Sequence, residues 1–349
     1  MSLKATYTPY TLRFKTPART SRDVLTSKTT YFIKIFDETS PEVFGLGECA
    51  VFNGLSPEAG PYYEKILAKA CDTINCVDVK ILSGWSSIRF GIETAMLDLQ
   101  NGGRRVIFPG TWTAGETSLT INGLIWMGNA DEMLHRIDDK LTAGFKCVKL
   151  KIGGIDFESE LALLRHIREA FSPATLELRL DANGAFSPAN AMERLKRLSE
   201  YDIHSIEQPI RQGQWLEMAR LCMDSPIPIA LDEELIGVHM PTAKERLLDT
   251  IRPQYIILKP TLCGGISGSR EWMELAAKHN VGWWLTSALE SNVGLNAIAQ
   301  LAAHCRVTIP QGLGTGSLYT NNIPSPVTIH GDRLSYDPTS PWNLSTINF

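Results

Sequence analysis

Four charged residues end four apolar runs at almost equal intervals. Asp181 closes Leu176-Glu177-Leu178-Arg179-Leu180, and Glu207 closes Ile203-His204-Ser205-Ile206. Asp232 closes Ile227-Pro228-Ile229-Ala230-Leu231, and Lys259 closes Tyr255-Ile256-Ile257-Leu258. The steps between the four are 26, 25 and 27 residues. Runs of four to six such residues have the length of buried strands, and each gap holds a crossover helix with its loops. An earlier run, Phe145–Gly154, alternates: Val148, Leu150 and Ile152 fall on one side of an extended chain, Lys149 and Lys151 on the other. Alone it would pass for a half-exposed strand with its lysines in water. As one more unit of a regular β-then-helix repeat, it predicts a parallel barrel.

The repeat begins near Ser118. Its strand candidates are Ser118–Asn122, Lys146–Lys151, Leu176–Asp181, Ile203–Glu207, Ile227–Asp232, Tyr255–Lys259, Val281–Thr286 and Val307–Gln311. Amphipathic helices such as Ala130–Ala143, Glu158–Phe171 and Pro188–Ser199 lie between them, and the last helix is weak. This is the pattern of an α/β fold with a (β/α)8-type, modified TIM barrel over 113–323. Residues 1–112 lack the alternation. Strands at Thr6–Phe14, Thr29–Phe36 and Val43–Glu48 precede helices at Pro57–Ile74 and Ser86–Gln100, predicting a small α+β domain on which the tail, 324–349, packs back.

Composition removes several classes of function. With 349 residues, 44% of them hydrophobic, and a net charge of -4, the chain has no basic surplus to draw nucleic acid or an anionic membrane. No apolar run nears the roughly 20 residues of a bilayer span, and the start has no signal pattern. The seven cysteines form no C-x-x-C pair and read as reduced thiols of a cytoplasmic protein, so zinc is not expected. The expected partner is a small-molecule carboxylate. A homo-oligomer is compatible with the sequence, which does not specify one.

Chemistry in such a barrel gathers at the C-terminal strand ends. Three carboxylates there, Asp181, Glu207 and Asp232, would repel one another in a low-dielectric mouth unless a cation joined them. Oxygen-only ligation favours a hard ion, Mg2+ with Mn2+ as substitute. Lys151 and Lys259 face each other across it from strands two and six. A cation on a substrate carboxylate can hold the enediolate formed when the adjacent carbon loses its proton. Lys151 could take that proton, with Lys149 as a positive neighbour lowering its pKa. Racemisation, lactone chemistry and loss of a β-leaving group all remain open at this point, as does an inactive barrel with a binding role.

These residues resemble the signature of the enolase superfamily, muconate-lactonizing subgroup. Its K-x-K, D-x-N, E-x-P, D-E and K-P elements are found as Lys149-Leu150-Lys151, Asp181-Ala182-Asn183, Glu207-Gln208-Pro209, Asp232-Glu233 and Lys259-Pro260, with Gly45-Leu46-Gly47-Glu48 in an N-terminal capping domain. Within the subgroup the chain is similar to the o-succinylbenzoate synthase family. Gly264-Gly265, Thr286-Ser287-Ala288-Leu289-Glu290-Ser291-Asn292 and Gln311-Gly312-Leu313-Gly314-Thr315-Gly316 carry that likeness. The resemblance implies dehydration of 2-succinyl-6-hydroxy-2,4-cyclohexadiene-1-carboxylate in menaquinone biosynthesis, with Lys151 as base and then acid and Lys259 as the opposed cation. N-succinylamino-acid racemase and dipeptide epimerase are the alternatives, although Leu313-Gly314-Thr315-Gly316 lacks the Asp-x-Asp with which epimerases bind an ammonium group. His279 precedes strand seven, unlike the His at its end in mandelate-racemase-like members. Candidate substrate contacts are Lys149, Asn183, Gly264, Gly265, Ser287, Ser291 and Asn292, with Arg19 and Arg22 on a lid.

Overall fold

The computed structural model describes residues 2–19 and 24–349. Strands β1 (Leu3–Arg19), β2 (Val24–Asp37) and β3 (Phe44–Cys49) form an antiparallel sheet, followed by helices α1 (Tyr63–Asp72) and α2 (Ser86–Gln100). The first helix starts six residues later than the sequence pattern suggests. Gly60 and Pro61 lie inside the expected span, and the chain turns there instead.

Strand β4 (Leu119–Thr120), within the expected first barrel strand Ser118–Asn122, belongs to a separate sheet, and the parallel sheet starts instead at β5 (Gly123–Ile125), followed by α3 (Ala130–Thr142), β6 (Cys147–Lys151), α4 (Phe157–Ala170), β7 (Glu177–Asp181), α5 (Pro188–Ser199), β8 (Ser205–Glu207) and α6 (Trp215–Asp224). It continues through β9 (Ile229–Leu231), α7 (Pro241–Ile251), β10 (Tyr255–Leu258), α8 (Gly265–Lys278), β11 (Gly282–Leu285) and α9 (Asn292–His304). Strands β5 to β11 pair in sequence order, all parallel. Local chemistry starts the helices. At α3, Asn129 and Glu132 cap each other's backbone N–H, and Pro188 opens α5.

The expected eighth strand, Val307–Gln311, is not a strand. Pro310 has no N–H to give, and only Gln311 and Gly312 make bridges, to Ile121 and Thr286. Their N–H groups donate to Thr120 O at 2.9 Å and Leu285 O at 2.9 Å, which closes the ring. A short 3-10 turn, Gly314–Ser317, stands where the eighth helix would be.

Alternation along the strands sorts the side chains. Val148, Leu150, Leu178, Leu180, Ile206, Leu231, Ile256 and Leu258 join the helices' Leu164, Ile167 and Leu195 in the main core. The opposite faces fill the barrel. Low in it, Arg179 lies over the Trp284 ring at 4.3 Å and donates to Pro310 O at 2.9 Å. Polar groups above this floor therefore face the mouth.

The N-terminal sheet meets the barrel through α2, which packs on β3 so closely that only glycine fits. A Cβ on Gly47 would lie 1.9 Å from Gly91 O, a backbone atom that cannot swing aside. We expect Gly47→Ala to lose about 3 kcal/mol in urea unfolding; a loss under about 0.5 kcal/mol would show that this contact yields easily. The tail divides. Strands β12 (Val327–His330) and β13 (Arg333–Tyr336) form a hairpin that pairs with β4 in a separate three-stranded sheet. Ile347 reaches Phe32 and Leu46 of the N-terminal sheet.

Candidate active site

Parallel register carries the charged side chains to one level. Lys149 pairs with Arg179, Lys151 with Asp181, and Asp181 with Glu207. Asp232 and Lys259 follow immediately after β9 and β10. Lys149, Lys151, Asp181, Asn183, Glu233 and Lys259 line a cavity of about 1060 Å3 between the mouth and the N-terminal strands.

Ion pairs bind these groups into one network. Lys151 Nζ is 2.8 Å from Asp181 Oδ2 and donates to Asn183 Oδ1 at 2.7 Å. Lys149 Nζ reaches Glu207 Oε2 at 2.8 Å and Asp181 Oδ2 at 3.3 Å. On the far side Lys259 Nζ sits 2.5 Å from Asp232 Oδ2. Burial works against the Lys149 cation, but Glu207 and Asp181 override it and hold it well above the ordinary lysine range. Burial likewise opposes the Lys259 charge, which Asp232 and Glu233 restore and raise. Asp181 is buried too, yet Lys151 and Lys149 keep its carboxyl well below the usual range. Lys149 is thus engaged with two carboxylates.

Glu207 is the member left short of positive charge. Burial raises its pKa, Lys149 opposes the shift, and Asp181 and Asp232 add to it, which together leave it at about 7. Its Oε1 is buried without a hydrogen-bond partner. Among the described residues no three His, Cys, Asp or Glu side chains are drawn close enough to hold a metal ion. The orphaned Glu207 oxygen and the all-oxygen donor set of Asp181, Glu207 and Asp232 nevertheless fit a hard divalent cation.

Backbone geometry at the strand ends is unusual in the same place. Asn183 and Gln208 have φ of 45° and 39°, a region that non-glycine residues seldom occupy. The Gln208 side chain shows why it is held there. Its amide nitrogen donates to Glu234 Oε2 at 3.1 Å, and its oxygen accepts from the N–H of Asp232 at 3.2 Å and of Glu234 at 3.3 Å. Glu233 and Glu234 are buried. Glu233 accepts from Asn183 Nδ2 at 3.0 Å, and burial with Asp232 nearby raises its pKa.

Not every sequence candidate reaches this cavity. Ser291 turns away: its N–H and hydroxyl donate to Glu48 of β3 at 2.9 and 2.5 Å. Asn292 bonds Ile323 O at 2.7 Å and Asn322 at 3.0 Å. Gly264 and Gly265 face α2, where a Cβ on Gly265 would meet Glu93 Oε2 at 2.4 Å. Ser291, Gly264 and Gly265 are committed to joining the two domains, and Asn292 to holding the chain at Asn322 and Ile323. Ser287 does line the cavity, its hydroxyl donating to Glu290 and accepting from Thr315 at 2.8 Å. Arg22 and the Arg19 side chain lie outside the described residues. His279 ends α8 next to Asp249, away from the cavity.

The sequence reading missed other residues on the cavity wall. Thr286, quoted beside Ser287 in the sequence motif but not among its candidate contacts, has a buried Oγ1 without a partner. Lys28, Phe52 and Trp126 also line it. Lys28 is buried on a strand between exposed Ser27 and Thr29, so its sequence context resembles a solvated edge.

The enolase C-terminal domain-like family matches residues 132–337. The chain belongs to this family of the enolase superfamily. It is similar over nearly its full length to the o-succinylbenzoate synthase of Desulfotalea psychrophila, 47% identical over 95% of this chain and 98% of that protein. The crystal structure of MenC from Desulfotalea psychrophila superposes with a TM-score of 0.80 at 45% identity, covering 96% of this chain and 100% of that one. A dipeptide epimerase from Enterococcus faecalis, complexed with Mg and a dipeptide, shares the fold: TM-score 0.83 at 18% identity, with 99% of each chain covered.

Proposed function

We propose that this site dehydrates 2-succinyl-6-hydroxy-2,4-cyclohexadiene-1-carboxylate to 2-succinylbenzoate, the o-succinylbenzoate synthase step of menaquinone biosynthesis. The carrying observation is the pair Lys151 and Lys259 on the wall of one cavity, ion-paired to Asp181 and Asp232 respectively, with Glu207 beside Asp181 in the parallel register. Asp181, Glu207 and Asp232 would hold a Mg2+ ion, which when bound supplies Lewis-acid stabilisation of the substrate carboxylate as its α-carbon loses a proton.

The chain's own groups perform the proton transfers. Lys151 Nζ takes the α-proton as a general base, and the C–H electron pair moves into the enediolate. Lys151, now an ammonium, returns that proton to the departing β-hydroxyl. The C–O bond breaks and water leaves from the same face. Asn183 Oδ1 orients the lysine throughout. Lys259 stays protonated through Asp232 and Glu233 and presents fixed positive charge from the opposite side. Ser287 and Thr286 offer polar contacts to the rest of the substrate.

Metal removal tests this reading. Dialysis against a chelator should abolish loss of the diene absorbance, and added Mg2+ should restore it, with Mn2+ as a weaker or equal substitute. Full turnover in chelator would remove the carboxylate cluster from the mechanism. Racemisation of N-succinylamino acids is the competing outcome; it would show as α-proton exchange with D2O faster than dehydration.

A further inference from the structure

Leu289 has φ of 64° although it is neither glycine nor asparagine. Bulky residues adopt this left-handed conformation only when their surroundings enforce it, and such positions cluster at ligand-contacting loops. Here the enforcing contacts can be named. Lys28 Nζ, from strand β2, donates to Leu289 O and to Ala288 O at 3.0 Å each. Tyr319 OH donates to the same Leu289 oxygen at 2.7 Å, and its ring is fixed against Phe14 at 4.8 Å. The Leu289 N–H donates to Ser287 Oγ at 3.1 Å. Both polar backbone groups of Leu289 are thereby fixed.

The side chain so placed is buried and lines the cavity, in one apolar cluster with Ala18, Leu25, Phe52, Trp126 and Leu318. Strand ends with Lys151 and Lys259 supply the charged side of the cavity, and this cluster the apolar one. On the functional reading above, the substrate's carboxylate and reacting carbon belong at the charged side. The two methylenes of its succinyl chain then need an apolar wall.

Resting on that reading, we infer that Leu289 determines specificity by packing against the succinyl methylenes, and that Lys28 and Tyr319 are positioning residues that hold it there. The contact is assembled across the domain junction, since Lys28 belongs to the N-terminal sheet and Leu289 to the barrel loop after β11.

Steady-state kinetics and thermal melts of the full chain test it. Leu289→Ala and Leu289→Gly should each raise KM for the cyclohexadiene substrate about tenfold, with kcat changing far less. Leu289→Gly should melt at or above Leu289→Ala, the reverse of the usual order, because glycine accepts the left-handed backbone. Tyr319→Phe, which removes one hydroxyl and leaves the ring in place, should raise KM in the same direction. Lys28→Met should do likewise, and Lys28→Arg should recover part of the loss. Unchanged KM in both Leu289 variants and in Tyr319→Phe overturns the inference while leaving the functional reading intact. A wild-type chain inert on this substrate overturns that reading, and the inference with it.

Discussion

Lys151→Ala should lower kcat/KM for the dehydration by on the order of 10^3- to 10^4-fold while the fold survives. General acid–base groups contribute up to about 10^4-fold, and Lys151 is assigned both the removal and the return of one proton. The loss should therefore lie at the upper end and fall mainly on kcat. The lysine is held by Asp181 and Asn183 at 2.8 and 2.7 Å, so its nitrogen has a defined position that a solution amine lacks. Added small amines should recover little activity, because they lose that placement. Lys259→Ala should cost less, about 10^2-fold, since it removes a fixed charge rather than the proton carrier. Stopped-flow or steady-state absorbance checks both, with circular dichroism to confirm folding. Equal losses for the two lysines would mean that the proton path is shared between them.

The second large effect concerns stability. Lys149→Met should destabilise the chelated protein by about 3–5 kcal/mol, the usual consequence of removing one partner from a buried charge network. Lys149 is 6% exposed, and its ammonium is the only one within bonding distance of Glu207 among the described residues. Losing it strands Glu207 and halves the compensation of Asp181. Mg2+ should narrow the gap between variant and wild type, because a divalent ion on the same carboxylates replaces the missing charge and stabilises by mass action. Urea unfolding with and without Mg2+ measures this. A loss under about 1 kcal/mol in chelator would show that water already screens the pair.

The barrel and the centre of its site were legible because both follow from periodicity. A charged residue after every apolar run places Asp181, Glu207, Asp232 and Lys259 on adjacent strand ends without knowledge of a loop. Alternation alone separates Lys149 and Lys151 from Val148, Leu150 and Ile152. Loops obey no such period. Ser291, in the loop after β11, is as well suited to a substrate carboxylate as to Glu48, and nothing local shows that Glu48, 243 residues earlier, claims it. Gly264 and Gly265 read as a ligand-binding turn, but their conformation serves a close approach of α2. Lys28 was invisible for the converse reason. A lysine flanked by Ser27 and Thr29 looks solvated until the barrel loop folds over it. The eighth strand failed because Pro310 interrupts a run that otherwise has strand composition.

Purified chain with Mg2+ is mixed with 2-succinyl-6-hydroxy-2,4-cyclohexadiene-1-carboxylate, and the product is identified by NMR in wild type and in Lys151→Ala. The account predicts stoichiometric 2-succinylbenzoate from the wild type and only background conversion from the variant. Unreacted diene with the metal-loaded wild type, or matching turnover from Lys151→Ala, would contradict it.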